Sequence, residues 1–215
     1  MGFFIWGFMI RVAAYIDGYN VYHALCRFGQ NHLKWVDLWK LCDVFVPNKS
    51  AELTAVHYFS AYADWLGPQM KRHQAYVAAL ETTGVSIHMA NFKKKDRKCP
   101  DCGHRYVGHE EKETDVKLAL ALLDHARTDE FDRAFIVSRD SDLVPAAQLM
   151  KSAFPDKELT IVAPPHLGHS TEMISICDHK AKIQRKHVEQ CLLPEKIACA
   201  DGSEIIRPTN YDPPI

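Results

Sequence analysis

The 215-residue sequence lacks a charge imbalance: 26 Lys and Arg stand against 27 Asp and Glu, a formal net charge of −1, so overall charge selects no polyanionic or polycationic partner. It lacks an apolar run long enough to span a bilayer; the apolar stretch Met1–Ile10 is short and ends at Arg11. No basic residue precedes that stretch and no small-residue cleavage site follows it, which argues against a signal peptide. Residues 1–9 therefore read as an apolar extension, with Met9 as the functional start. Internal repeats and low-complexity tracts are absent. Also absent are G-x-x-x-x-G-K-[ST], G-x-G-x-x-G and G-x-S-x-G, which leaves P-loop hydrolases, common dinucleotide enzymes and serine hydrolases without support. The seven cysteines are odd in number and scattered, which opposes a disulfide framework and points to a reducing cytoplasm.

What is present is ordinary globular composition, 47% hydrophobic and 25% charged, enough for one domain with a full core. Apolar runs alternate with helical patterns. Strands are expected at 11–16, 53–63, 85–92, 133–138 and 159–162. Helices are expected at 19–28, 35–46, 68–83, 113–127 and 141–153, followed by one or two more helices and a Pro-rich tail. Pro68 near the start and Gly84 past the end bracket the third helix as caps predict. The pattern predicts an α/β doubly wound fold: an approximately five-stranded, mainly parallel sheet with helices on both faces. Residues 10–190 form the domain, and 191–215 a tail packing on it. Residues 93–111 show no period and are expected to be an insert loop, long enough to suggest a role.

Aspartates close several of the apolar runs. Asp17 ends the first in Tyr-Ile-Asp-Gly-Tyr-Asn, with Asn20 three residues on. Asp140 and Asp142 follow the fourth in Ser-Arg-Asp-Ser-Asp. Asp115 opens the helical pattern after Glu-Lys-Glu-Thr. Open parallel sheets bind ligands beyond the carboxyl ends of their strands. If these strands are neighbours the acids converge, and two carboxylates ~4 Å apart repel by ~4 kcal/mol at an effective dielectric of 20. Protons or a divalent cation would relieve that repulsion, and oxygen-only ligation selects Mg²⁺ or Mn²⁺. A plainer reading stands beside this one: Asp17, Asn20, Asp140 or Ser141 as a helix cap, and Asp115 as a dipole-favoured surface acid. Gly18 reads as the residue that lets the chain turn sharply after Asp17.

Two further features lie in the insert. The basic run Lys93, Lys94, Lys95, Arg97 and Lys98 is either a solvated loop or a phosphate-backbone contact. Lys112 could likewise hold a phosphate, neutralise the acids or be simply exposed. Cys99-Pro-Asp-Cys102-Gly-His104 has the spacing of half a zinc knuckle, with His104 and His109 as nearby ligands; a redox pair or free thiols are the alternatives. Cys26 and Cys42 read as core, Trp6, Trp35, Trp39 and Trp65 as packing residues, and His57, His73 and His88 as core or surface residues.

Taken together, Asp17-Gly-Tyr-Asn20, Glu111-Lys112-Glu113-Thr-Asp115-Val and Ser138-Arg139-Asp140-Ser-Asp142-Leu-Val-Pro145 resemble the NYN domains of the DUF88/LabA-like group, in the PIN-like nuclease superfamily. The resemblance spans roughly residues 10–190. It implies a five-stranded parallel sheet with a metal-dependent ribonuclease site at its carboxyl edge. It also implies that Asp17, Asp115, Asp140 and Asp142 bind Mg²⁺ or Mn²⁺, with Asn20 in support and RNA as partner. Arg139 stands where many relatives have Gly, and could narrow the site or add a phosphate contact. A non-catalytic RNA- or protein-binding module, and a small-molecule catabolic enzyme using the same crevice, are the rival readings. A homodimer is compatible with the sequence.

Overall fold

The computed structural model describes residues 9–47 and 50–214, so most of the expected N-terminal extension lies outside the described residues. The chain runs β1 (Ile10–Asp17), α1 (Gly18–Cys26), α2 (Leu38–Asp43), β2 (Ala51–Ala61), α3 (Gly67–Thr82), β3 (Ser86–Lys98), β4 (Arg105–Lys112) and α4 (Thr114–Arg127). It continues β5 (Arg133–Val137), α5 (Val144–Ala153), β6 (Glu158–Ala163), α6 (Thr171–Ile176), β7 (His179–Lys182), α7 (Arg185–Gln190), β8 (Lys196–Ala198) and β9 (Glu204–Ile206). Single 3₁₀ turns lie at Asn31–Lys34, Ser141–Leu143 and Thr209–Tyr211.

One sheet of seven strands, ordered β4-β3-β2-β1-β5-β6-β7, forms the centre. All its pairings are parallel except β3 with β4. Val12 through Asp17 are buried, as a central parallel strand covered on both faces requires. Alternation then divides them. Val12, Ala14 and Ile16 pack with Val21 of α1, Leu38 of α2, Leu80 of α3 and Val188 of α7. Ala13 and Tyr15 pack with Leu118 of α4, Met150 of α5 and Met173 of α6 on the other face. Each of the Val, Leu, Ile and Met side chains contributes about 1.5–3 kcal/mol on full burial.

The sheet has seven strands rather than about five, and the two additional strands share a physical cause. β4 and the outer half of β3 form an antiparallel hairpin from Asn91↔Lys112 to Lys98↔Arg105. Most of its residues are exposed. An arm with little to bury shows no apolar alternation, so a ladder reads as an aperiodic insert. β7, His-Lys-Ala-Lys, is likewise a short polar edge strand. The helix expected at 35–46 is shorter: Val36 bridges to Leu192, and α2 starts only after Asp37, whose carboxylate accepts from Lys40 N at 3.1 Å.

The C-terminal segment lies on the α1–α3 face. β8 pairs with β9, Tyr211 is buried in the same core as Trp35, and Trp35 Nε1 donates to the Pro194 carbonyl at 2.9 Å. Among the described residues no helix is long and apolar enough to cross a membrane.

Candidate metal centre

The chain leaves β1 toward β2 and β3 on one side and returns to β5 on the other. The order of the sheet therefore reverses between β1 and β5, where ligand crevices form in open sheets. Register brings Ile16 beside Val137, so Asp17 and Ser138 emerge together at the carboxyl edge. Asp140 follows two residues later. Asp115 arrives from the first turn of α4. One carboxylate oxygen each from Asp17, Asp115 and Asp140 lies within 4.8 Å of the others, and this is the only such group of three or more His, Cys, Asp or Glu among the described residues.

The capping reading and the convergence both hold. Asp17 Oδ1 accepts from Asn20 N at 3.0 Å, and Asp140 Oδ1 accepts from Asp142 N at 2.9 Å. Asp17 Oδ2 accepts from Asn20 Nδ2 at 2.8 Å and from Ser138 Oγ at 2.9 Å. These bonds fix the carboxylate's orientation; Oδ2 accepts two of them, and Oδ1, with one, keeps lone-pair capacity for an ion. Ser138 Oγ in turn accepts from Asp140 N at 2.9 Å, tying the two acid-bearing loops together. Ser138 was not singled out from the sequence; a buried hydroxyl directly after a strand is its only signal.

Asp17 is 4% exposed, and burial raises its pKa against the opposing hydrogen bonds from Asn20 and Ser138. Asp115 is raised to about 6, first by burial and then by the charges of Asp17, Asp140, Glu111 and Asp142. Among the described residues no lysine or arginine forms an ion pair with the three converging acids; Lys112 instead pairs with Glu110 at 2.9 Å. Three convergent hard-oxygen donors, crowded and without a side-chain counter-charge, suit a divalent cation.

Other expected site residues lie around this cluster. Asp142 is exposed and outside the converging group. Glu111 caps α4 by accepting from Thr114 N at 3.1 Å and from the Thr114 hydroxyl, while Glu113 adopts a left-handed φ of 80°. These bonds place Asp115 in the first turn. Arg139 is exposed, its N–H 3.3 Å from Asn20 Oδ1, and with His23, Arg27 and Asp140 it lines an open cleft of about 730 Å³.

Lys93, Lys94, Lys95, Arg97 and Lys98 are exposed on β3. Glu110 on β4 takes Lys95 at 3.6 Å and Arg97 at 3.9 Å in addition to Lys112, which holds its carboxyl below the usual range. Cys99 and Cys102 sit at the turn of this arm. Cys99 N donates to the His104 carbonyl at 2.8 Å, and Gly103 takes a φ of +71°. The Cys99 thiol is held below its usual value, first by the backbone N–H of Cys102 and then by that of Asp101. His109 lies further along β4, stacked on Trp65 with ring centroids 3.6 Å apart. Among the described residues no third metal-capable side chain joins the two thiols in a compact group.

The fold and this edge define an α/β protein with a carboxylate cluster at the switch point of a mainly parallel sheet. Residues 11–184 match the NYN domain family, and the chain belongs to it. NYN domains fall in the PIN-like nuclease superfamily, whose members are generally associated with nucleic acid and generally use divalent metal ions. A curated relative, 6-hydroxy-3-succinoylpyridine 3-monooxygenase HspA of Pseudomonas putida, is 27% identical over 87% of this chain and 72% of its own length. A solved structure of a protein of unknown function from Vibrio parahaemolyticus, VPA0982, is similar in fold, with a TM-score of 0.57 and 20% identity over 86% of this chain and 97% of that one.

Proposed function

We propose that this protein is a metal-dependent ribonuclease that hydrolyses RNA phosphodiester bonds. The observation that carries the reading is the convergence of Asp17, Asp115 and Asp140 without a cationic partner. These three would hold the principal ion, with Asn20 and Ser138 fixing Asp17. A bound Mg²⁺ or Mn²⁺ supplies a water of lowered pKa and offsets charge on the leaving oxygen. Asp142, exposed beside the cluster, is assigned to positioning the attacking water or holding a second ion. Arg139 is assigned to a phosphate in the open cleft. Lys93, Lys94, Lys95, Arg97, Lys98 and Lys112 are assigned to the RNA backbone, with Glu110 tempering their charge.

The test is cleavage of single-stranded and structured RNA with and without Mn²⁺, beside Asp140→Asn. Asn keeps the oxygen that caps Asp142 and loses the charge, so the variant is expected to fold. Cleavage is expected to fall at least 100-fold. Without metal, Asp140→Asn is expected to melt above the wild type, because relieving carboxylate repulsion stabilises by about 1 kcal/mol, the scale of one pKa unit. Undiminished cleavage by the folded variant would sink the mechanism.

A second reading has its own support. The HspA relative is named for a monooxygenase acting on a hydroxypyridine. A small-molecule enzyme using the same acidic crevice would turn over such a ring, and would neither bind RNA nor respond to charge changes on the β3–β4 arm.

A further inference from the structure

Beside the acidic cluster, between α1, α3 and the end of β2, lies a cavity of about 320 Å³. Voids left by imperfect packing are rarely larger than a water molecule, whereas small-molecule sites run from about 300 to 1,000 Å³. Its walls are aromatic: Tyr19 and Tyr22 from α1, Phe92 from β3, Tyr76 from α3, with Trp65 and Tyr211 closing the sides. Its rim is unusually apolar for a surface, since Tyr22, Trp65 and Leu66 are 41%, 36% and 39% exposed. Rings already pack edge-on here, Phe92 against both Tyr19 and Trp65 at centroid distances of 5.7 and 4.6 Å.

Besides Lys34, Gln69 and Arg72 in its lining, the cavity contains a polar point where two buried hydroxyls meet a histidine. Tyr58 Oη lies 3.2 Å and Ser60 Oγ 3.5 Å from the same nitrogen, His73 Nε2. Tyr58 and Ser60 are 4% and 2% exposed. Burial lowers the His73 pKa to about 4, so its imidazole is neutral at pH 7. A neutral ring nitrogen takes part in one strong hydrogen bond; with the Tyr58 hydroxyl taking it and Ser60 bonding Tyr58, the two hydroxyl oxygens keep acceptor capacity. Water can fill that capacity but not the aromatic walls. An alkyl chain fits the walls and leaves the hydroxyls unmet. A flat ring with polar atoms on its edge meets both.

We propose that this cavity binds one planar heteroaromatic ring, its faces against the aromatic walls and its polar edge toward Tyr58, Ser60 and His73. The ring can belong to a free small molecule or to the base of a nucleotide. Gly18, directly after Asp17, lines the cavity, and Tyr19 lines both the cavity and the cleft carrying Asp140. A seated ring would thus lie next to the acids, although its binding requires neither metal nor turnover.

Calorimetric titration of metal-free protein in EDTA tests this, with adenosine and uridine 5′-monophosphates in one arm and a hydroxypyridine carboxylic acid in the other. Saturable one-to-one binding is expected in at least one arm. Nucleotides alone binding would identify the source as a nucleic-acid base, and the pyridine alone as a free small molecule. Ala63→Trp, which fills the cavity, and His73→Phe, which removes the polar point, are each expected to weaken binding at least tenfold. Melting curves report folding, so either variant suffices if the other does not fold. No saturable binding in either arm at millimolar concentration, or binding unchanged by a folded variant, overturns the proposal. Ring binding without RNA cleavage would defeat the ribonuclease reading alone, and cleavage without ring binding would defeat this one alone.

Discussion

At the residue scale, Gly18 shows how a site acid is held by what its neighbour lacks. A Cβ on Gly18 would lie 2.6 Å from the Tyr58 ring, and Tyr58 is buried in the core. Its φ is not in the left-handed region, so the sharp-turn role expected from the sequence is replaced by close approach to Tyr58. Gly18→Ala must displace either Tyr58 or the start of α1, and overpacking of this kind costs about 1–3 kcal/mol. Urea unfolding is expected to show that loss, together with weaker Mn²⁺ binding because Asp17 moves with the backbone. A variant as stable as wild type would show that Tyr58 yields freely. Asp17 and Asp140 were legible as acids beyond apolar runs, although each alone reads equally well as a helix cap, and only their order together with Asp115 suggested convergence. Ser138 was not, since a serine there looks like any turn residue until the register of β1 and β5 sets it against Asp17.

At the element scale, the central strands and the helices on either face could be read from apolar runs because burial on both faces writes hydrophobicity into every position. The β3–β4 arm could not, because its pairing is sustained by backbone bonds and cross-strand charge, with Glu110 facing Lys95 and Arg97. The basic run and the cysteine pair were visible as motifs, but only the ladder shows that the thiols occupy the arm's turn. A thiol held below its usual value by two backbone N–H groups is prepared to act as a thiolate ligand. Protein purified without chelator is expected to carry zinc at this turn, with the remaining ligands supplied by His104, water or another chain. Cys102→Ser is expected to abolish the bound zinc and to speed amide exchange through residues 93–112. Zinc content unaffected by Cys102→Ser would remove these thiols from any metal site.

At the scale of the whole molecule, two titratable groups on the α4 side of the sheet, buried His57 and half-buried Asp115, act on stability in opposite directions. His57 is 7% exposed, stacks on Tyr15 and contacts His88, and its pKa is lowered to about 4, first by burial and then by His125 and His88. The unfolded chain therefore binds a proton near pH 6.5 that the folded chain refuses until about pH 4. Stability from this group is full above pH 6.5 and is lost as pH falls through that window. Asp115, raised to about 6, works the other way: the folded state binds the proton first, so acidification toward pH 4 favours folding at that site. Wild-type unfolding alone mixes the two slopes, and His57→Phe separates them. The stability of wild type relative to that variant is expected to fall by about 2 kcal/mol between pH 7 and pH 5, measured by urea unfolding at each pH. A difference that stays constant would mean that His57 takes up its proton at the same pH in the folded and unfolded chains, and that burial does not hold its ring neutral.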